Sequence, residues 1–366
     1  MAVEVVEPTL VSDAGHCAAI FGSLFRAAPD LPYRLWIDRR AHAPSVIATG
    51  VETVRHFVRP LRRLQALLLY RRLLRGPGPL YVPTATWSDL RSIDLLARTP
   101  LPPDRVFLYF HKLRLSAGRR EALRALARRQ PHLHLLGASA EIADRLRDAG
   151  FRQVDAVIPV NAEVGAVQPC EVFRHVLFAG AARADKGFTQ VVDWVEHVSG
   201  CGDALPVLVQ TTGDHYGRHD DRTAADLVRL RALGAPTLKT LDQTPDRLAY
   251  ANLFPGSICL QPYDRHEYAD KTSSVTFDAL MAGAPIVTLS GTPMARIVEE
   301  SGAGRVVEDA RPQTLQGAIE AIHADYAGYA RRAVTAGRRF DPRQAWQPLV
   351  DGLRRALASG GRDAAR

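Results

Sequence analysis

Residues 257–289 read SICLQPYDRHEYADKTSSVTFDALMAGAPIVTL. SICLQP (257–262) is an apolar run of strand length, and PIVTL (285–289) is a second one. Between them a polar loop leads into VTFDALMAG, whose apolar residues recur at helical spacing. Gly283 stands where a left-handed C-terminal cap is expected, and Pro285 blocks any continuation of the helix. Strand, helix and strand in this order predict a parallel crossover unit. The same alternation runs outward through LYVP (80–83), VFLYF (106–110), LHLLG (133–137), DAVIPV (155–160), HVLFAG (175–180) and LPVLVQT (205–211). Amphipathic segments such as AGRREALRALARRQ (117–130) and EIADRLRDAG (141–150) fill the gaps. The fold class is therefore α/β, built on doubly wound parallel sheets.

A chain of 366 residues exceeds one comfortable hydrophobic core, so two domains are expected. NAEVGAVQPCEVFR (161–174) breaks the rhythm and marks the linker, which divides the chain into 1–163 and 164–340. A last helix, 341–366, is long enough to pack somewhere other than on the sheet before it. Ligands of open α/β sheets bind beyond the carboxyl ends of the strands, and two such domains facing each other would enclose a cleft.

Hydrophobic content of 46% and charged content of 23% are ordinary for a soluble globular enzyme. MAVEVVEPTL lacks the basic and apolar regions of a signal peptide, and no run approaches the roughly 18 apolar residues that span a bilayer. Cys17, Cys170, Cys201 and Cys259 form no CxxC pair and no zinc-like spacing with histidine, so a reduced, cytoplasmic setting is expected. The net charge of +8 comes almost wholly from arginine, since the lysines are only Lys112, Lys186, Lys239 and Lys271. Such an excess reads as compositional bias, and no nucleic-acid partner is expected from it. Where arginine is the default cation, a lysine marks a place that wants a compact point charge. RPLRRLQALLLYRRLLRG (59–76) has two readings, a surface helix packed on its domain or a peripheral contact with an anionic membrane. Leu61, Leu64 and Leu68 share one face there, but Arg71 and Arg72 fall on the same face.

Three segments carry chemistry. Thr272, Ser273 and Ser274 sit where the helix after the polar loop begins, with Lys271 beside them and Asp278 about one turn on. Unpaired N–H groups and the helix dipole favour an anion, particularly a phosphate, at such a place. A plain serine cap with solvated aspartates fits the same residues. In FAGAARADKGF (178–188) a strand runs into small residues, and Arg183 and Lys186 bring two cations to its carboxyl end. The GxxxxGK[ST] spacing of a P-loop is absent, and a β–α turn with surface basics is the other reading. His111 ends the apolar strand of VFLYFHKLRL, and His16 opens a helix in SDAGHCAAIFGSLFRA (12–27). Either can bond or exchange a proton near neutral pH, and either can be a packed side chain.

Together these segments resemble the retaining glycosyltransferases of the GT-B fold, family 4 in particular, whose C-domain signature has two glutamates separated by seven residues before an Ala/Met/Ala/Gly/Pro/Val/Val-like run. DALMAGAPIV (278–287) matches the second half, and Asp270 and Asp278 have the spacing. Lys186-Gly187, His111, the stretch near residue 16, VIPVNAEV (157–164) and the terminal Trp346 helix continue the likeness. The resemblance implies two facing Rossmann-like domains with an interdomain cleft and a last helix packing back towards the N-domain. It implies a donor linked to UDP or GDP and a glycan or lipid-linked acceptor, in bacterial surface polysaccharide assembly, with no separate cofactor. By the same resemblance Asp278 would bind the ribose and Asp270 the sugar hydroxyls. The amides of Thr272 to Ser274 would hold the diphosphate, and Lys186 would neutralise it. His111 would orient the transferred sugar, with Gly15 and His16 approaching from the N-domain. No metal is expected, since there is no DxD pair in a fitting loop. The chain departs from the family in having Asp for both glutamates and Ala181 where the family has Arg. Arg183 or Lys271 would replace that charge, and Glu267 could take the role of Asp270. A sugar-nucleotide epimerase or hydrolase, and a non-catalytic homologue, are the alternatives.

Overall fold

The computed structural model describes residues 1–363 apart from 13–15, 43–48, 114, 159–162, 200–204, 214–217 and 270. The chain divides into one unit made of Met1–Pro159 and Pro342–Arg366 and another made of Val160–Asp341. The first seam lies a few residues before the expected 163/164, and the last helix belongs to the first unit.

In the first unit the order is β1 (Val3–Glu7), α1 (His16–Ala27), β2 (Tyr33–Asp38), β3 (Glu52–Phe57), α2 (Arg62–Leu73), β4 (Leu80–Val82) and α3 (Trp87–Leu96). There follow β5 (Val106–Phe110), α4 (Ala117–Arg129), β6 (His134–Gly137), α5 (Ala140–Asp148) and β7 (Gln153–Ala156). Its sheet has the order β3-β2-β1-β4-β5-β6-β7, with every pairing parallel. The second unit runs β8 (His175–Phe178), α6 (Phe188–Ser199), β9 (Val207–Gln210), α7 (Asp221–Ala232), β10 (Leu238–Leu241), α8 (Arg247–Ala251) and β11 (Ser257–Gln261). It closes with α9 (Ser274–Met281), β12 (Ile286–Leu289), α10 (Pro293–Ser301), β13 (Gly304–Val307), α11 (Pro312–Ala324) and α12 (Tyr326–Gly337). Its sheet is β10-β9-β8-β11-β12-β13, again all parallel. Each order reverses once, between β1 and β4 and between β8 and β11, which makes both sheets doubly wound.

The unbroken apolar runs arise because each sheet is covered on both faces. Along β5, Phe107 and Tyr109 join one core cluster while Val106, Leu108 and Phe110 join the other. Along β8, Val176 and Phe178 face one way, Leu177 the other. Serine and aspartate caps start several helices: Ser139 Oγ accepts from Ile142 N in α5, and Asp220 Oδ1 accepts from Thr223 N in α7. The α9 terminus matches its sequence reading closely. Gly283 has φ +73°, its N–H donates to Leu280 O at 3.0 Å, and Ala284 N–H donates to Ala279 O at 2.8 Å. This is the paired hydrogen-bond pattern of a glycine-terminated helix.

Five strands escape the apolar-run reading, for two reasons. β3, β10 and β13 lie at sheet edges, are only partly buried and carry polar residues. β1 and β2 are central but contain charges neutralised inside: Glu4 accepts from Trp36 Nε1 at 2.7 Å and from Arg34 Nη1 at 3.1 Å. DAVIPV also shifts, since β7 occupies Gln153–Ala156 and Val157 follows it, buried, with its N–H donating to Gly137 O.

The last helix, α13 (Pro342–Asp363), completes the core of the first unit. Trp346, Leu349, Val350 and Leu353 join the cluster of α1, β1, β2 and β5 residues. Trp346 is fully buried, packs edge-on to Tyr109 at 5.8 Å and donates from Nε1 to Ser23 Oγ at 2.9 Å. Trp346→Ala is expected to destabilise the protein by about 3–5 kcal/mol in denaturant unfolding, from lost burial and the cavity left behind.

Candidate functional site

The strand-order reversal of the second unit places the loops after β8 and β11 side by side. They are held there by backbone proximity. Gly187 adopts φ +73°, and a Cβ on it would run into the carbonyl oxygen of Pro262. Asp264 N–H also donates to Asp185 O at 3.0 Å across the same seam. Only glycine fits at 187, because the left-handed backbone and the contact both exclude a side chain.

Within this frame Lys186 folds back over Gly180. Gly180 has φ +91°, and a Cβ there would meet the Lys186 ammonium. The Gly180 N–H donates to Gln210 Oε1 at 2.7 Å, and Gln210 Nε2 donates to Thr212 Oγ1 at 2.8 Å. The ammonium lies 5.8 Å from the ring centre of Tyr263. Burial, then the neighbouring positive charge of Arg183, lowers the Lys186 pKa to about 8, while Asp185, Cys259 and Asp278 oppose the fall. Lys186 is thus a partly dehydrated cation, still mostly charged at neutral pH.

The loop after β11 delivers the start of α9 to the same place. Ser273 is the N-cap residue, but its side chain makes no capping bond. Its hydroxyl points to Tyr263 Oη at 3.4 Å instead. The simple reading of a serine-capped terminus is therefore not what Ser273 does, and its side chain leaves the first N–H groups of the helix uncapped by it. Thr276 Oγ1 donates to Gln261 Oε1 at 2.8 Å and ties α9 to the end of β11. Thr272 is half-buried and Ser274 exposed beside it.

Arg183 and Lys271 converge on one carboxylate. Arg183 forms two hydrogen bonds with Asp185, Nε to Oδ1 at 2.9 Å and Nη2 to Oδ2 at 2.8 Å. Lys271 Nζ lies 3.9 Å from Asp185 Oδ2, 3.6 Å from Glu267 Oε2 and 4.3 Å from the ring centre of Tyr268. Asp278 is 2% exposed and accepts from Tyr250 Oη at 3.0 Å. Its charge is felt by Lys186, as the pKa balance shows. The second unit therefore gathers Arg183, Lys186, Lys271, Thr272, Ser273, Ser274 and Asp278 around the ends of β8 and β11. Asp270 lies outside the described residues.

The first unit has its own reversal between β1 and β4. His111 follows β5, and its Nε2 donates to Pro83 O at 2.9 Å, since a carbonyl oxygen only accepts. Its ring packs on Tyr109 at 4.3 Å. Glu7, at the end of β1 and 2% exposed, accepts from Thr9 N–H at 3.1 Å and from Thr84 Oγ1, next in sequence to Pro83, at 2.7 Å. Burial raises the pKa of Glu7 against those hydrogen bonds. Gly15 lies outside the described residues, and so does the side chain of His16, whose backbone begins α1.

Sequence reasoning missed Gln210, Tyr263, Tyr268, Asp185 and Glu7. Tyr263 and Tyr268, flanking the polar run after SICLQP, were the readable signal, since aromatic rings in a charged loop accept cations. Among the described residues no group of three or more His, Cys, Asp or Glu side chains is placed to hold a metal ion.

No family model and no curated protein matches the chain. Among solved structures it is similar to a sucrose-phosphate synthase from Thermosynechococcus elongatus, at 15% identity and TM-score 0.67, covering all of both chains. It is also similar to Anabaena HepE in complex with UDP and glucose, at 13% identity and TM-score 0.71, covering 96% of this chain and 99% of the other. A third is WaaG, a glycosyltransferase involved in lipopolysaccharide biosynthesis, at 13% identity and TM-score 0.60, covering 96% and 98%. The chain thus has the GT-B architecture of these proteins.

Gly187→Ala is expected to lower stability by about 1–3 kcal/mol in urea unfolding, since it strains a left-handed residue and pushes the two loops apart. A change acting only through the unfolded chain would instead raise stability, by about 0.4–1 kcal/mol.

Proposed function

We propose that the protein is a glycosyltransferase that moves a sugar from a nucleoside-diphosphate sugar, UDP- or GDP-linked, to a glycan or lipid-linked acceptor, with retention at the anomeric carbon. The observation that carries this reading is the Lys186 ammonium near the start of α9, which the Ser273 side chain does not cap, both at the β8/β11 reversal. A partly dehydrated cation and preorganised N–H groups together suit a diphosphate. The fold shared with proteins crystallised with UDP supports the same class of donor. No separate cofactor enters this reading.

During transfer the bond between the anomeric carbon and the diphosphate oxygen breaks, and negative charge grows on the leaving group. Lys186 and the amides of Thr272 to Ser274 stabilise that charge. The acceptor hydroxyl forms the new bond on the same face, and its proton passes to the departing phosphate oxygen. Asp270 holds the sugar hydroxyls, Asp278 the ribose, and His111 orients the transferred sugar, with Gly15 and His16 alongside. In this structure Asp278 Oδ2 accepts from Tyr250 Oη, which fixes a carboxylate that has the capacity to accept further hydrogen bonds from ribose hydroxyls. Bacterial surface polysaccharide or glycolipid assembly, in the cytoplasm at the inner face of the membrane, is the setting this chemistry suits. No helix among the described residues is long and apolar enough to cross a membrane.

A thermal-shift screen with UDP-, GDP- and dTDP-sugars tests the reading, since a true donor raises the melting temperature. Turnover of donor without acceptor would favour an epimerase or hydrolase instead. Binding without transfer across a broad acceptor panel would favour a non-catalytic homologue. Lys186→Met is expected to weaken the donor that binds by roughly tenfold or more.

The pH dependence has a definite sign. Diphosphate binds the ammonium form, so affinity is flat below the Lys186 pKa of about 8 and falls as pH rises through it. An ordinary surface lysine would hold its affinity about two pH units further. Titration calorimetry between neutral and alkaline pH distinguishes the two.

Lys271→Ala is expected to weaken donor binding more than Arg183→Ala, because Arg183 is held by two hydrogen bonds to Asp185 whereas Lys271 lies 3.6 and 3.9 Å from its carboxylate partners. Unchanged affinity in Lys271→Ala together with lost binding in Arg183→Ala would assign the replacement charge to Arg183.

A further inference from the structure

The helix α2 has two faces, and only one of them belongs to the core. Ala66, Leu69, Tyr70 and Leu73 pack inward with residues of β4, β5 and α3. Tyr70 Oη donates on that inner side to Asp89 Oδ1 at 2.8 Å. The opposite side leaves Leu61, Leu64 and Leu68 at 54%, 56% and 56% exposure. Among the described residues the other exposed large apolar side chains, such as Leu95, Val172 and Val228, are scattered singly, as on any surface. These three stand on consecutive turns, with Arg59, Arg62, Arg63, Arg71, Arg72 and Arg75 exposed around them. An open hollow at the start of the helix is lined by Arg59, Pro60, Arg62 and Arg63. Between Glu52 and Asp89 the chain has seven arginines and no acidic residue. The field is felt locally: His56 is lowered by partial burial and then by Arg39 and Arg72.

Leucine and arginine on one face spoil an idealised amphipathic wheel, yet that mixture suits one occupant. A second copy of the chain would set arginine against arginine across a symmetric contact. A nucleic acid would satisfy the arginines and leave the leucines in water. A lipid surface takes both, with leucines at the acyl boundary and guanidinium groups reaching the headgroup phosphates.

We infer that the outer face of α2 docks the protein on a membrane surface of anionic phospholipid. The leucines and arginines act together, so neither charge nor apolar area suffices alone. The inference is independent of the reaction proposed above.

Co-sedimentation of the full chain with phosphatidylcholine vesicles, with and without phosphatidylglycerol, tests it. Binding to the anionic vesicles is expected to be at least roughly tenfold tighter and to fall with added salt. Leu64→Ser with Leu68→Ser is expected to abolish sedimentation while leaving the melting temperature near that of the parent, because both side chains are outside the core. Arg62→Gln with Arg63→Gln and Arg71→Gln is expected to do the same on anionic vesicles. Equal binding to both vesicle types overturns the inference. So does undiminished vesicle binding in the leucine variant. Binding of a single-stranded RNA oligomer as tight as that of anionic vesicles, and insensitive to the leucine changes, assigns the surface to nucleic acid and overturns it too.

Discussion

The carbonyl of Pro262 lies so close to the backbone of Gly187 that no side chain fits between them. That contact joins the loops after β8 and β11, the two strands at which the second sheet reverses its winding. Winding in opposite directions from these strands sends the following helices apart and leaves space between the loops. The glycine then sets how closely they approach. Lys186 and Phe188 flank it, so the position of the buried ammonium and the start of α6 both follow from it. Tyr263, next to Pro262, closes the other side.

A charged group here would be unfavourable without compensation, because dehydration penalises the ammonium. Arg183 adds repulsion, while Asp185 and Asp278 offset part of both. The balance leaves Lys186 charged at neutral pH but short of counter-charge, a state that an incoming diphosphate relieves. Lysine suits this position better than arginine. Its compact ammonium fits above Gly180, where a planar guanidinium would need more room. Arg183 and Lys271 are differently placed, since Asp185 and Glu267 already meet their charge.

Much of this was legible in residues 257–289. Strand, loop, helix, glycine cap and second strand stand where their spacing puts them, and Gly283 adopts the left-handed conformation its position asked for. Lys186 and the start of α9 were likewise readable as cations and amides at strand ends. The alternative of a plain serine cap does not hold for Ser273, whose hydroxyl turns to Tyr263, ten residues away in sequence. β1 and β2 were missed because Glu4 and Glu7 in the first and Arg34 in the second interrupt an apolar pattern that their partners make tolerable. Asp185, which the sequence reading did not single out, is the carboxylate on which two cations meet.

Sequence alone determined what depends on neighbouring residues: the alternation of strand and helix, the glycines that end helices or admit close backbone contact, and the cations placed at strand ends. These rest on backbone geometry and on burial patterns that repeat within a few residues. Tertiary structure decided the rest. It placed α13 in the core of the first unit through Trp346 and Ser23, residues more than three hundred positions apart. It lowered the Lys186 pKa, first through burial and then through Arg183, with Asp278 among the groups opposing the fall, and it left Leu64 and Leu68 outside the core while burying Leu69 and Leu73. Dehydration and burial depend on atoms supplied by distant segments, and no local pattern records which segments those are.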